Sequence, residues 1–510
     1  MNPTCPSSLF KFFTLLSFVF LFTACPASIT EPELGEATED LPVINSLPAA
    51  QAYGELFRAD QSSLLDRAYP AGQAGNNVYA VDEFVVLYED EDLENARQDS
   101  ATLAAEYGSR FREVRSCGCT ENFNVRLWRV DSIGGTERGT SGSNTVANKI
   151  GKEDDGVSPN SFLFPSRPAS NWIFPDYGAL ASGYSPLPHP AGDNPIKIAV
   201  LDSGIDLSLE ATDIPGQGKL YFWKNPNEPI VNGTHDGTDI FCFEDDVTGW
   251  DFVNNDNNPS DDNSHGTHVA GIIARQLAQN APEIPYVFMP LKVLDENGVG
   301  TTFDAMCAVL YAAYHRADII NASWGFYGDP DPLLERALIR AQNRGSIVVT
   351  GAGNDGMNLN EVRHFPGQFG LRDNSVIKSV IVAGGLENNP TRLWESTNFR
   401  TDAPTYPGII AAPAKNITSL VPAFVSSNNL AEKSGTSMAA AYLSALMASY
   451  VHYRPDDLPR VIRPNMIKLI SEAHSPRYFI SNGVQYPYYG FNWFNVPEAY
   501  QEHQSEMRVN

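Results

Sequence analysis

Ser434-Gly435-Thr436-Ser437-Met438-Ala439-Ala440-Ala441, continuing through Tyr442-Leu443-Ser444-Ala445-Leu446-Met447, decides the fold. From Met438 to Val451 nearly every residue is apolar or small, with no Gly or Pro. Such a run is too short to cross a bilayer and predicts a helix buried on most sides. A hydroxyl at its start lies at the positive end of the helix dipole, beside backbone N–H groups without helical partners. Ser437 therefore has two readings. It is an ordinary helix-start residue, or a nucleophile whose attack builds an oxyanion that the helix start stabilises. Residues upstream decide between them.

Ile196–Leu201, Tyr286–Val293, Ile319–Ser323, Ile347–Thr350, Val380–Ala383 and Ile409–Ala411 read as strands, and helical stretches begin near His265, Thr302, Pro332 and Ser437. Near-continuous apolar strands alternating with helices predict an α/β fold, a doubly wound and mostly parallel sheet with helices on both faces. In such a sheet functional residues gather beyond the C-terminal ends of the strands. Ile196–Leu201 runs straight into Asp202-Ser203-Gly204, which is also a common turn composition. His265 stands at the first turn of a helix that begins His265-Gly266-Thr267-His268-Val269-Ala270-Gly271. Gly266 and Gly271 let that helix approach a neighbour closely. A metal reading of His265 and His268 lacks a third ligand and a general-base Glu between them. Ser346–Thr350 ends in Gly351-Ala352-Gly353-Asn354, which places an amide donor at a strand end, where a simple turn Asn is also at home.

Together Asp202-Ser203-Gly204, His265–Gly271, Ala352-Gly353-Asn354 and Gly435-Thr436-Ser437-Met438-Ala439 resemble the subtilisin-like serine proteases. The order Asp, His, Ser along the chain agrees. The resemblance covers roughly Lys197 to the end. It implies that Asp202 orients His265, that His265 takes the proton of Ser437, and that Asn354 and the Ser437 backbone N–H hold the oxyanion. It implies a substrate-binding strand at Asn321-Ala322-Ser323-Trp324-Gly325, with Ser323, Trp324, Gly325, Ala352 and Gly353 walling the pocket before the cut. Neither wall carries a charge, which favours apolar or uncharged residues there. Three positions depart from the family pattern: Ser264 stands for Gly before the histidine, Ala441 and Tyr442 for Pro and His after the nucleophile, and Ala414 for Gly after Pro413. None removes a catalytic group.

The rest of the chain frames that unit. With 510 residues and 42% apolar content the chain exceeds one core. Its 35 basic and 61 acidic residues give a charge of −26, which excludes nucleic acid and anionic lipid as partners. Phe12–Phe22 behind Lys11 reads as an export signal over residues 1–25. Leu21-Phe22-Thr23-Ala24-Cys25 resembles a lipobox, so Cys25 is a candidate lipid anchor, a plain signal peptide being the alternative. Residues 26–76 read as a tether. Residues 77–164 follow β-α-β-β-α-β, with strands at Val81–Tyr88, Phe111–Arg115, Val125–Val130 and Gly156–Phe164 and helices at Asp92–Tyr107 and Thr145–Lys152. This small α+β ferredoxin-like unit resembles the family's inhibitor propeptide. Residues 165–190 read as a linker and 191–505 as the catalytic domain. Four cysteines remain outside the signal, Cys117, Cys119, Cys242 and Cys307; Cys242 with Cys307 is one open pairing, permitted by export. Asp206, Asp256, Asp261 and Asp262 make structural calcium an open expectation, with no cofactor needed for the chemistry.

The expectation is an exported or lipid-anchored serine endopeptidase made as a self-processing zymogen, acting on proteins or peptides and inhibited by its own propeptide. A catalytically quiet peptide-binding module and a dedicated processing protease are the alternatives.

Overall fold

The computed structural model describes residues 68–70, 78–89, 93–120, 123–131, 140–152, 156–164, 179–187, 194–234, 241, 243–372, 375–387, 392–401, 408–453, 455, 458–459, 477–481 and 484–490. The export signal, Cys25, Cys242 and most of the tether and linker lie outside the described residues; within the expected tether, Ala68–Pro70 is a short strand paired antiparallel with Val78–Ala80.

Two units share one continuous core. The first is built from β1 (Val78–Glu89), α1 (Leu93–Tyr107), β2 (Phe111–Thr120), β3 (Phe123–Val130), α2 (Thr140–Ile150) and β4 (Val157–Leu163). Its sheet runs β2–β3–β1–β4, every pair antiparallel, the order of a ferredoxin-like βαββαβ unit. The alternation of a strand explains why β1 reads as an almost unbroken apolar run. Phe84, Val86 and Tyr88 face one way and pack with Leu103, Trp128 and Val146 under the helices. Val85 and Leu87 face the other way and join the core of the second unit. Both faces of β1 are therefore buried.

The second unit is a nine-stranded sheet. Its main strands are β5 (Ile196–Asp202), β6 (Tyr286–Lys292), β7 (Ile319–Ala322), β8 (Ile347–Gly351), β9 (Val380–Leu386), β10 (Ile409–Pro413) and β11 (Val484–Gly490). From one edge the order is Arg477–Ser481, β11, β10, β9, β8, β7, β5, β6 and Trp250–Asp251, and only the first pair is antiparallel. The chain leaves β5 for β6 on one side and then crosses to β7 on the other, so the order reverses at β5. Crevices form at such a reversal, beyond the C-terminal strand ends. Helices α3 (His265–Asn280) and α6 (Thr436–Tyr453) cover one face; α4 (Thr302–Tyr314) and α5 (Pro332–Arg344) cover the other.

Caps set the helix starts. Thr301 accepts from the Asp304 N–H ahead of α4, and Asp331 accepts from Leu333 and Leu334 ahead of α5, with Pro332 in its first turn. Some boundaries differ from expectation. β2 runs on to Thr120 because β3 stays paired with it across two register shifts, and α2 begins at Thr140 rather than Thr145. The described part of the expected linker, 179–187, lies along the second unit: the Gly183 N–H donates to the Val231 carbonyl and the Val231 N–H to Tyr184.

The cysteine pairing also differs. The structure joins Cys117 on β2 to Cys307 on α4, with Cα atoms 6.1 Å apart. Sequence could not find this pair because the partners are 190 residues apart and meet only once the first sheet lies on α4.

Candidate active site

β5 ends at Asp202, fully buried, and the first turn of α3 brings His265 over it. Gly266 makes the approach possible: a Cβ there would lie 2.0 Å from the Gly204 carbonyl oxygen and 3.1 Å from the Asp202 Cβ. His265 Nδ1 is 2.7 Å from Asp202 Oδ1. A carboxylate only accepts, so Nδ1 carries the proton and Nε2 is left as a base. Asp202 Oδ1 also accepts from the Ser203 N–H, while its Oδ2 is buried without a partner among the described residues.

The residue before His265 departs from the family pattern, and the structure shows what it does. Ser264 adopts a left-handed conformation at φ 91°. Such a φ normally favours glycine and costs a non-glycine residue about 1–2 kcal/mol. Its hydroxyl accepts a 2.9 Å bond from Lys433 Nζ, and burial lowers the pKa of that ammonium against the raising pull of Asp261 and Asp202. Tyr442, the second departure, accepts from Arg275 and packs in the core beside α3. Ala414, the third, accepts from the Gly435 N–H and so ties β10 to the start of α6.

Ser437 lies in the first turn of α6, and its Oγ donates to the Ser323 carbonyl at 3.2 Å. Across from it stands Asn354, just past the end of β8. Asn354 Oδ1 accepts the Thr436 N–H at 2.7 Å. A backbone N–H can only donate, so this bond fixes the amide with its oxygen towards α6 and its nitrogen away. Asn354 Nδ2 is buried and has no acceptor among the described residues. An oriented donor without an acceptor costs free energy at rest.

The expected binding residues lie on two chain segments, one after β7 and one after β8. Ser323 and Gly325 follow β7, Trp324 is buried between them, and Ala352 and Gly353 lead to Asn354. Gly325 exchanges both backbone hydrogen bonds with Phe164, the residue after β4, at 3.0 and 3.1 Å. Phe162 and Leu163 pair antiparallel with Thr301 and Gly300. The end of the first unit thus lies as a strand between Gly300-Thr301 and Gly325. Gly325 has to be glycine, since a Cβ would lie 2.4 Å from the His364 ring.

Asn398 is a positioning residue that sequence reading missed. Its side chain donates to Ala352 O and Tyr327 Oη and accepts from the Asp355 and Met357 N–H groups, while its own N–H donates to Gly353 O. It clasps the loop carrying Asn354 from both sides. No period or spacing in the sequence marks it.

The carboxylates expected for calcium all accept bonds from the chain. Asp261 accepts from Ser203, Asn263, Ser264 and twice from Thr267; Asp206 caps Ser208; Asp256 accepts from Asn258. Asp262 is 2.6 Å from Lys292 Nζ. Burial would lower the Lys292 ammonium, but Asp262 and Asp251 beside it raise it overall and hold it charged. Burial pushes Asp251 up to about 6. Among the described residues no group of three or more His, Cys, Asp or Glu stands placed to hold a metal ion, and no helix is long and apolar enough to cross a membrane.

Comparison with known proteins agrees with this geometry. The chain is 35% identical over 208 residues to a thermophilic serine proteinase of Bacillus sp. (strain AK1), covering 40% of this chain and 46% of that protein. It is 32% identical over 207 residues to thermitase of Thermoactinomyces vulgaris, covering 39% and 65%. The match therefore spans about half to two thirds of these relatives' length. In fold it is similar to fervidolysin from Fervidobacterium pennivorans, with a TM-score of 0.52 and 18% identity over 82% of this chain and 61% of that one. The profile of the subtilase family, Peptidase_S8, matches residues 193–479, more than half of the chain. The chain belongs to the subtilase family.

Proposed function

We propose that this protein is a serine endopeptidase that cuts peptide bonds through an acyl-enzyme on Ser437. The observation that carries this reading is the unsatisfied Asn354 Nδ2, fixed by Thr436 and facing away from it. Ser437 Oγ bonds to the carbonyl carbon while His265 Nε2 takes its proton. Asp202 steadies the imidazolium that forms. The carbonyl oxygen, now negative, takes hydrogen bonds from Asn354 Nδ2 and the backbone N–H of Ser437. The proton passes to the leaving amine, and water then cleaves the ester by the same steps in reverse. The substrate is a protein or peptide segment in extended form, lying against Gly325 with an uncharged side chain towards Trp324 and Ala352. A fluorophosphonate probe tests the reading. Labelling of the wild type once processed and treated with reductant, and none of Ser437→Ala treated alike, supports it; a treated wild type that stays unlabelled makes the fold a peptide-binding module instead.

The protein acts after export, as a zymogen whose first unit is an inhibitor. Support comes from Phe164, which fills the place of a substrate residue on Gly325. Gly325 lies two positions beyond Ser323, whose carbonyl holds the Ser437 hydroxyl. At one partner per residue along an antiparallel pair, the first cut falls within about three residues beyond Phe164. The N-terminus of the processed protein, read by sequencing, checks this. Lipidation of Cys25 is tested by Cys25→Ser, which releases the protein from membranes if the anchor is real. Calcium would have to displace donors already seated on Asp261, Asp206 and Asp256, and melting with and without a chelator tests for it; coincident curves dismiss a structural ion.

A further inference from the structure

We infer that the Cys117–Cys307 disulfide keeps the inhibitory unit joined to the catalytic unit after the chain between them is cut. The processed protein is then a two-chain molecule whose site opens only when a thiol reductant breaks that bond or the inhibitory unit is itself digested. This rests on the reading above and adds the regulation of the same site.

The two cysteines straddle the cut. Cys117 precedes the connecting segment and Cys307 follows it, so hydrolysis anywhere in 165–178 leaves the disulfide joining the products. The bond also sits at the middle of the interface rather than at a loose end. Cys117 is 2% exposed and Cys307 fully buried, both within the core shared by β1 and α4. Polar contacts surround them. Arg115 Nη2 pairs with Asp304 at 2.8 Å, and Arg115 also donates to the Phe252 carbonyl. Asn160 accepts from the Phe303 N–H at 3.1 Å, and the Ser161 N–H donates to Thr302 Oγ1 at 3.0 Å. Ser158 donates to Asp331 at 3.0 Å, on the carboxylate that caps α5.

These contacts hold the units in one register, and the tether changes what cutting achieves. An unlinked inhibitor leaves on dilution. A linked one keeps an effective concentration of about 1 mM, so even a contact of Kd about 1 µM stays closed roughly 10³ to 1 at any dilution. Oxidising surroundings outside the cell preserve the bond. Its reduction takes two electrons from the reductant: a thiolate attacks one sulfur, a mixed disulfide forms, and a second thiol resolves it to leave Cys117 and Cys307 as thiols. Because both sulfurs are buried, that attack needs the interface to part first. Cutting frees the end of β4 and makes parting easier, so the cut and the reduction act in that order.

The cross-link is tested first without self-cleavage. Ser437→Ala is nicked by limited chymotrypsin, for which Trp172 and Tyr177 offer sites in the connecting segment. Without reductant the two pieces should migrate together in denaturing gels and with reductant apart. Ser437→Ala combined with Cys117→Ser should separate without reductant, whereas Cys119→Ser in the same background should behave as the parent. Pieces that separate without reductant in the parent overturn the inference. Latency is tested on processed wild type, diluted and assayed on a peptide substrate: reductant should raise its activity by about 10² or more, given the closed fraction above. Activity that is full before reduction overturns it as well. A failure of the endopeptidase reading shows separately, as a wild type that the fluorophosphonate probe leaves unlabelled even after reductant while the chymotrypsin result stands.

Discussion

His265 is flanked by two regions that look alike in sequence, each built on a fully buried aspartate. At the end of β5, Asp202 holds His265 with one oxygen, and the other has no partner among the described residues. In the loop before α3, Asp261 accepts five bonds from Ser203, Asn263, Ser264 and Thr267, and has no capacity to spare. Both regions place a carboxylate next to the same helix start. The difference shows that burial alone does not mark function. A buried polar group that its surroundings satisfy holds structure, and one that they leave short is poised for a charge that appears later.

The largest expected effect breaks the pair apart at Asp202. Asp202→Asn should cut kcat by about 10⁴, because the amide favours the wrong histidine tautomer. Its melting temperature should stay close to wild type. A large fall in melting temperature with little change in kcat would make Asp202 another structural residue. Asn354 belongs with Asp202 on the unsatisfied side. Asn354→Ala should lower kcat by about 10²–10³ with little change in KM, the range for one oxyanion donor, and an unchanged kcat removes it from the site.

Asp261→Asn should show the opposite pattern. Losing acceptor capacity for several buried donors should cost about 3 kcal/mol of stability. In a domain of this size that is a fall of about 6–12 °C in melting temperature, with kcat of the folded protein largely kept. Equal melting of Asp261→Asn and wild type would erase the contrast.

His364 sharpens it by pH. Its Nδ1 is buried without a partner among the described residues, and burial lowers its pKa to about 4. Between about 4 and the unfolded value of 6.5 the unfolded chain binds a proton that the folded chain refuses, so stability falls as pH drops through that window. From pH 7 to pH 5 the wild type should lose about 2 kcal/mol more than His364→Gln, at 1.36 kcal/mol per pH unit. Parallel losses in chemical denaturation would show that His364 does not titrate this way.

The smallest effect concerns Asn398, which is saturated yet acts on an unsatisfied neighbour. Asn398→Ala should reduce kcat about tenfold while KM changes less, since a loop displaced by a fraction of an ångström weakens the oxyanion bond alone. A change confined to melting temperature would make Asn398 only a scaffold residue.

Legibility followed the same divide between local and distant causes. Strand ends and helix starts were readable because each is set by neighbours in sequence. Ile196–Leu201 runs into Asp202, and Asp331-Pro332 announces α5. All four catalytic candidates sit at such boundaries, so the sequence could propose them. Asn398, the Ser264–Lys433 bond and the Cys117–Cys307 link join segments far apart in the chain, and no period of 2 or 3.6 records them. The apolar run in β1 was read as a strand, but its second buried face was not, because the covering surface belongs to another unit.

The pairing of Phe162–Phe164 between Gly300-Thr301 and Gly325 has one more consequence. The cleft is a sheet lacking its middle strand, and whatever fills it is held mainly by main-chain bonds that every residue except proline can offer. Recognition of that kind measures how easily a segment straightens rather than what it spells. Compact proteins would be spared until a stretch of several residues comes loose, and substrates would then be ranked by how often they unravel.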